Sequence, residues 1–439
     1  MKVVYVSDNR ARGNYGCRAT STALSQLTRR DNEIVGVVSG AYSNWNMGPV
    51  FYNPILPRSV YSVLAKSKRW PNLREGLHLI QKMVHHPFGS FALSNIDLLS
   101  INLDDGIERI EKAIDANDHV ADYDLRRYDF DAMVVNGEGS FIFATPAWRE
   151  SILLLTMMHW AQRLGKKVYF VNAMLSDDPY SPRNQEIVDL TAKVLSRCEL
   201  VAVREEESLA YAYDVLGLTD VALFPDALFT WVDLINDEHR VLDGKYYMGH
   251  STECDAYYDV LDFSGPYICV SGSSSPEISQ NPDRAVERYA DLVNAVKKRF
   301  GMPVYLVKVC EGDEFLEAVG RETRTPVIAL DTPIVAAGKI LAGAAVYISG
   351  RYHPAILASL GGTPCVFMSS NSHKTRSLQT LLSYPSNIEH PVLPESADID
   401  AMLNDAQTLI NGGEETRALI KERVDVLAKK ARALAERLV

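Results

Sequence analysis

One short stretch, Ile348-Ser349-Gly350-Arg351-Tyr352-His353-Pro354, holds the residue types best suited to chemistry. A guanidinium and an imidazole two positions apart suit a phosphorylated substrate. The first stays charged at any accessible pH, and the second exchanges a proton near neutrality. A structural Arg–His pair explains the same residues equally well. The stretch follows residues 344–348, an unbroken run of small and β-branched side chains that predicts a buried strand. Behind it, Ala355-Ile356-Leu357-Ala358-Ser359-Leu360 predicts a helix ended by Gly361-Gly362, and residues 363–368 predict the next strand. Arg351 and His353 therefore fall where a parallel strand hands over to a helix, the edge at which open α/β sheets bind ligands.

Other candidates sit at similar predicted edges. Gly13-Asn14-Tyr15-Gly16-Cys17-Arg18 joins a predicted strand at 2–7 to a predicted helix at 19–28. In that arrangement backbone N–H groups cradle anions, and Asn14 and Gly16 are the candidate contacts. A tight turn explains the glycines nearly as well. The loop lacks GxGxxG and a P-loop lysine, so neither a dinucleotide nor a nucleoside triphosphate is indicated. Asn136-Gly137-Glu138-Gly139-Ser140 is expected to end a strand at 131–135, with glycines letting the backbone approach a ligand. Glu138 there orients a sugar hydroxyl, acts as a base, or caps the next helix.

Arg204 is expected to end a strand at 199–203, before Glu205-Glu206-Glu207-Ser208 opens a helix. It either reaches the same edge or pairs with the acidic run. Asp226, after a strand at 221–224, holds a loop or a ligand group. Gly272, Ser273 and Ser274 follow a predicted strand at 267–271 and form either a phosphate nest or a polar loop. Lys374 is a second candidate cation or a solvated surface residue.

The bulk composition frames these candidates. With 439 residues, 47% hydrophobic and 23% charged, the chain is expected to form two or three well-cored domains. A formal net charge of -11 argues against nucleic acid as a partner while permitting a local cationic pocket. The six cysteines (Cys17, Cys198, Cys254, Cys269, Cys310, Cys365) have no paired spacing. That predicts neither a disulfide framework nor a zinc site, and no metal ligands are assigned. The first residues read as a strand rather than a signal peptide, and the most apolar helix, at 152–164, carries His159, Gln162 and Arg163. The expectation is a cytoplasmic protein without a transmembrane segment.

The division expected is an N-terminal domain at 1–235, with a proline-broken insertion at 48–129 that serves as a lid, an acceptor-side wall or packing decoration. A connection at 236–265, a second domain at 266–395 and C-terminal helices at 396–439 follow. In the tail Ile420, Val424, Leu427, Ala431, Leu434 and Leu438 form one apolar seam. It packs on the body or contacts a second copy in a homodimer.

Four of these stretches resemble motifs of the polysaccharide pyruvyl transferase family. Gly13-Asn14-Tyr15-Gly16-Cys17-Arg18-Ala19 is similar to its Asn-x-Gly loop, and Asn136-Gly137-Glu138-Gly139-Ser140 to its triple-glycine motif. Val203-Arg204-Glu205-x-x-Ser208 is similar to its Arg-Asp/Glu-x-x-Ser segment. Arg351-Tyr352-His353 with Gly362-Thr363-Pro364 resembles its Arg-Leu-His…Gly-x-Pro segment. The sequence departs from the pattern at Cys17, Glu138 and Tyr352.

The resemblance implies an α/β, GT-B-like fold: two Rossmann-like domains facing across a cleft, the second on the donor side. It implies no cofactor, phosphoenolpyruvate as co-substrate, and a glycan or lipid-linked saccharide as acceptor, with the inner face of the membrane as a place of work. Phosphoenolpyruvate carries a carboxylate and a phosphate, which Arg204 and Arg351 match. His353 is then the acid that protonates its methylene carbon, with Gly272, Ser273, Ser274 and Lys374 around the leaving phosphate. Two rival readings remain at this level: a GT-B glycosyltransferase using a nucleotide sugar, and a catalytically silent glycan-binding relative.

Overall fold

A computed structural model describes residues 1–39, 98–116, 123–237, 261 and 263–438. Most of the expected insertion, much of the expected connection, and Cys254 lie outside the described residues. Among those described, the strands form two sheets. The first comprises β1 (Lys2–Asp8), β2 (Glu33–Ser39), β3 (Ala132–Ile142), β4 (Lys167–Ser176), β5 (Leu200–Val203) and β6 (Ala222–Leu223) in the order β2-β1-β3-β4-β5-β6. The second comprises β7 (Ile268–Ser273), β8 (Val304–Val307), β9 (Val327–Ile328), β10 (Val346–Gly350) and β11 (Cys365–Phe367) in the order β11-β10-β7-β8-β9. All neighbouring pairs are parallel. Helices cover both faces, which is why the strands read as continuous apolar runs: Val3, Val4, Tyr5 and Val6 are all buried.

Strand order reverses beside β1 in the first sheet and beside β7 in the second, so a crevice opens at β1/β3 and another at β7/β10. Residues following β1, β7 and β10 border those crevices, and this places the candidate residues.

Several expected boundaries shift: β7 runs to Ser273, so Gly272 and Ser273 end that strand rather than follow it, and β10 runs to Gly350. The first helix spans Tyr15–Asp31, not 19–28, because Asn14 caps it: its side chain accepts from the Cys17 amide at 3.1 Å. Gly16, Cys17 and Arg18 are therefore its first turn rather than a loop. β3 runs on through Ile142, so Gly137, Glu138 and Gly139 lie within a strand and not after it. Phe141 and Ile142 keep pairing with Leu175 and Ser176 of β4.

One core joins the two halves. Tyr5, Tyr15 and Ala19 from the first half and Tyr305, Val309, Ala337, Ile340, Tyr352 and Ile356 from the second belong to the same buried cluster. The tail seam joins it too. The helix Gly413–Arg432 and the turn Ala433–Arg437 bury Ile420, Val424, Leu427, Ala431, Leu434 and Leu438. The Leu438 carbonyl accepts from Asn32 of the first half at 2.7 Å. The seam thus packs on the body, one of the two placements expected for it. Within the described part of the insertion, the helix Leu103–Ala116 buries Leu103, Ile107 and Ile110 with Met157 and Met158, so this piece is core packing. Among the described residues no helix is long and apolar enough to cross a membrane.

Candidate active site

β10 ends at Gly350, where any side chain would collide with Ser273 and the Ser369 carbonyl. Arg351 then takes an extended conformation as N-cap of the helix Tyr352–Leu360. Its amide donates to Ser349 Oγ at 3.1 Å, and its guanidinium pairs with Asp313. Asp313 is fully buried and is approached by Gly272, whose missing side chain leaves room for the carboxylate. Burial works against the Arg351 charge, but Asp313 more than offsets it and holds the guanidinium protonated.

His353 sits in the first turn of the same helix and reaches across to the first half. Its Nε2 lies 3.1 Å from Asp226 Oδ2 and 3.2 Å from Arg204 Nη1. Arg204 Nη1 in turn donates to Asp226 Oδ2 at 3.0 Å. Arg204 is 1% exposed and Asp226 0%, and the Arg204 guanidinium lies 4.4 Å from the Tyr352 ring centre, a cation–π contact. Tyr352, where the family motif has leucine, therefore covers the arginine. Asp226 Oδ1 accepts from Thr20 Oγ1 at 2.7 Å and from the Leu228 amide at 2.9 Å. Burial alone would raise the Asp226 carboxyl, yet the imidazole, the guanidinium and the Leu228 amide hold it below the usual carboxylate range. Arg204 thus faces a carboxylate at close range, with its Nη1 committed to it.

Gly16 completes this corner. A Cβ there would stand 2.6 Å from both the Cβ and the Nδ1 of His353. Gly16→Ala is accordingly expected to displace the imidazole and cut activity at least tenfold while circular dichroism stays native, because the clash is with one side chain. Asn14 has a different task from the one expected: its side chain is taken up by the helix cap, and the next amide, of Tyr15, donates to the Val309 carbonyl at 2.8 Å, tying the halves together.

The Gly137–Ser140 segment supports the site from behind. Glu138, buried at a positive φ of 37°, accepts on Oε1 from Asn9 Nδ2 at 2.9 Å, Ser21 Oγ at 3.1 Å and Asn136 Nδ2 at 2.8 Å. It does not cap the next helix, Arg149–Arg163, which begins without a side-chain cap. Gly137 lets Phe170 and Ala173 approach, and Ser140 donates to Glu150 Oε1 at 3.1 Å. Burial and the nearby Glu138 carboxylate push the Cys17 thiol well up, so it stays protonated.

On the other side of the cleft, Ser273 does not form an open nest. Its hydroxyl donates to the Ser369 carbonyl and accepts from the Ser275 amide at 3.1 Å, while Gly272 seats Asp313. Ser274 Oγ instead donates to Asn371 Oδ1 at 3.3 Å, the atom that also accepts from Lys374 Nζ at 2.6 Å. Lys374 opens the helix Lys374–Leu381 and has no carboxylate partner among the described residues. Burial first, then the charges of Arg351 and Arg204, push its amine down to about 7. The charges of Arg351 and Arg204 thus reach an amine that has no carboxylate partner among the described residues.

A model of the family described as polysaccharide pyruvyl transferase matches residues 14–372. The chain belongs to the polysaccharide pyruvyl transferase family. Lys374 lies just past the matched segment, and all the other candidate residues lie within it. No curated protein matches the sequence. UDP-GlcNAc 2-epimerase from Neisseria meningitidis bound to UDP-GlcNAc is similar in structure, with a TM-score of 0.52 and 10% identity over 98% of this chain and 99% of that one. An S. aureus MnaA–UDP co-structure aligns with a TM-score of 0.50 and 12% identity over 96% of this chain and 91% of that one. At such identity the likeness concerns the fold, and it places this family member in the GT-B architecture.

Sequence reading left several members of this site without a role. Asp313 and Thr20 carry no local motif. Nor does His373, whose Nε2 is 3.1 Å from Glu205 Oε1 across the cleft. Glu205 was read as a helix-dipole residue, yet its carboxylate also takes the Ser208 hydroxyl.

Proposed function

We propose that the protein moves the pyruvyl group of phosphoenolpyruvate onto a sugar of a cell-surface polysaccharide or its precursor, forming a pyruvate ketal and releasing phosphate. The observation that supports this most is the charge balance at Lys374, a half-buried amine that feels the charges of Arg351 and Arg204 and whose hydrogen-bond partner is a neutral amide. Such a cluster is relieved by a small multivalent anion.

In this reading Arg351 and Lys374 face the carboxylate and phosphate of the donor, and Ser274 adds a hydroxyl beside Lys374. Arg204 contributes its charge from behind Asp226 and His353. The imidazolium of His353 gives a proton to the methylene carbon, the double-bond pair forms the new C–H bond, and the central carbon becomes electrophilic. One sugar hydroxyl adds there and loses its proton. A second hydroxyl then closes the ketal as the C–O bond to phosphate breaks; the bond pair leaves with phosphate, which takes up that hydroxyl's proton. Guanidinium and ammonium groups stabilise that leaving charge. The acceptor is a glycan or lipid-linked saccharide, the latter placing the reaction at the inner membrane face.

The fold is shared with enzymes crystallised with UDP-GlcNAc and UDP, so nucleotide sugars are the proper control. Calorimetry should show binding of phosphoenolpyruvate and none of UDP-sugars, and phosphate release should require an acceptor glycan. Binding of UDP-sugars alone would overturn the reading in favour of a glycosyltransferase.

A pH dependence follows from Lys374. With the amine pushed down to about 7 by burial and the neighbouring guanidinium charges, binding of an anion favours the ammonium form, raises that value and draws a proton onto Lys374. Phosphoenolpyruvate affinity should therefore be full below pH 7 and fall by up to about tenfold per pH unit above it. Calorimetry in buffers of different ionisation enthalpy measures the uptake, and Lys374→Met should abolish it.

A further inference from the structure

We infer that Asp226 is the positioning residue of the site: it holds the Nε2–H of His353, so that Nδ1 is the nitrogen that delivers the proton. The inference rests on the pyruvyl-transfer reading, and the argument begins from a triangle. Arg204 Nη1, Asp226 Oδ2 and His353 Nε2 lie 3.0, 3.1 and 3.2 Å apart. Arginine only donates. Nη1 carries two hydrogens, so a bare Nε2 has a donor at 3.2 Å, but its lone pair then also faces the full charge of the carboxylate at the shorter 3.1 Å. With hydrogen on Nε2, the ring and one hydrogen of Arg204 Nη1 both donate to Oδ2, and the 3.2 Å approach of Nη1 to Nε2 is a contact between two donors that share that carboxylate oxygen.

Asp226 cannot turn away. Thr20 Oγ1 and the Leu228 amide fix its other oxygen, at 2.7 and 2.9 Å, within a fully buried setting. The charged groups facing the ring are therefore Asp226 and Arg204 of the first half, with Tyr352 of its own helix edge-on at 5.1 Å between centroids.

The remaining nitrogen, Nδ1, makes no hydrogen bond to the described residues and lies against Gly16, where a Cβ would stand 2.6 Å away. The imidazolium thus gives its Nδ1 proton to the methylene carbon and is left as the Nε2–H tautomer, which Asp226 stabilises. Carboxylate-held imidazoles in other enzymes lose activity steeply when the carboxylate becomes an amide, because the tautomer reverses.

The test is nitrogen-15 NMR of histidine-labelled full-length protein, with the His353 signals assigned by their loss in His353→Gln. Neutral His353 should be the Nε2–H tautomer in the wild type and shift toward Nδ1–H in Asp226→Asn. In that variant kcat should fall about a hundredfold or more, with KM for phosphoenolpyruvate within about threefold. A wild-type Nδ1–H tautomer, or an Asp226→Asn enzyme with unchanged tautomer and kcat, overturns the assignment. Should Asp226→Asn fail to fold, the wild-type spectrum decides, and Thr20→Val gives a milder form of the same loss. The spectrum needs no substrate, so an Nε2–H ring without phosphate release supports the Asp226 assignment and counts against the reaction instead.

Discussion

Replacing His353 by alanine is expected to lower acceptor-dependent phosphate release by about 10²–10⁴, the range that general acid catalysis contributes. The fold should persist, because Asp226 keeps Arg204, Thr20 and the Leu228 amide as partners when the imidazole goes. The loss should fall on kcat, since the proton is needed in the transition state rather than for binding. Calorimetry with phosphoenolpyruvate and a coupled phosphate assay on the same preparation separate the two quantities. Near-wild-type turnover would remove the acid from the mechanism proposed here.

The second large effect is on stability. Arg204→Met removes a cation whose side chain is 1% exposed, between Asp226 and Glu205 at 0% and 1%. Methionine fills much of the volume but leaves two buried carboxylates without it. Breaking one partner of a buried pair costs about 3–5 kcal/mol, a large share of the stability of an ordinary domain. The variant should melt several degrees lower or fail to accumulate, in contrast to His353→Ala. Denaturant titration followed by tryptophan fluorescence measures the difference. Arg204→Lys should recover part of it, since it restores charge without the planar fork.

These contrasts show which parts of the site a sequence can disclose. Strands such as β1 and β10 are legible because burial on both faces imposes unbroken apolar runs, and the Arg351/His353 pair is legible because it follows one of them directly. The beginning of the first helix was not, since Gly16 and Cys17 look like loop residues until Asn14 is seen capping them. Gly137 and Gly139 suggested a strand end for the same reason, whereas the pairing of Phe141 with Leu175 carries β3 onward. Partners across the chain were hidden by distance along it. Thr20 and Asp226 are separated by 206 residues, and His373 and Glu205 by 168. Nothing in local composition foretells such meetings.

The return of the last helix onto the first half has a consequence for how this protein can be divided. The polypeptide passes between its halves twice, once between residues 237 and 268 and again when the tail brings Leu427, Ala431 and Leu434 into the shared core and Leu438 to Asn32. The lobes are buckled rather than hinged. A fragment severed at the earlier crossing would bare an oily strip on one piece and its matching bed on the other, so neither is suited to life as a module. Opening of the cleft must carry the returning tail with it, which favours small rocking over wide gaping.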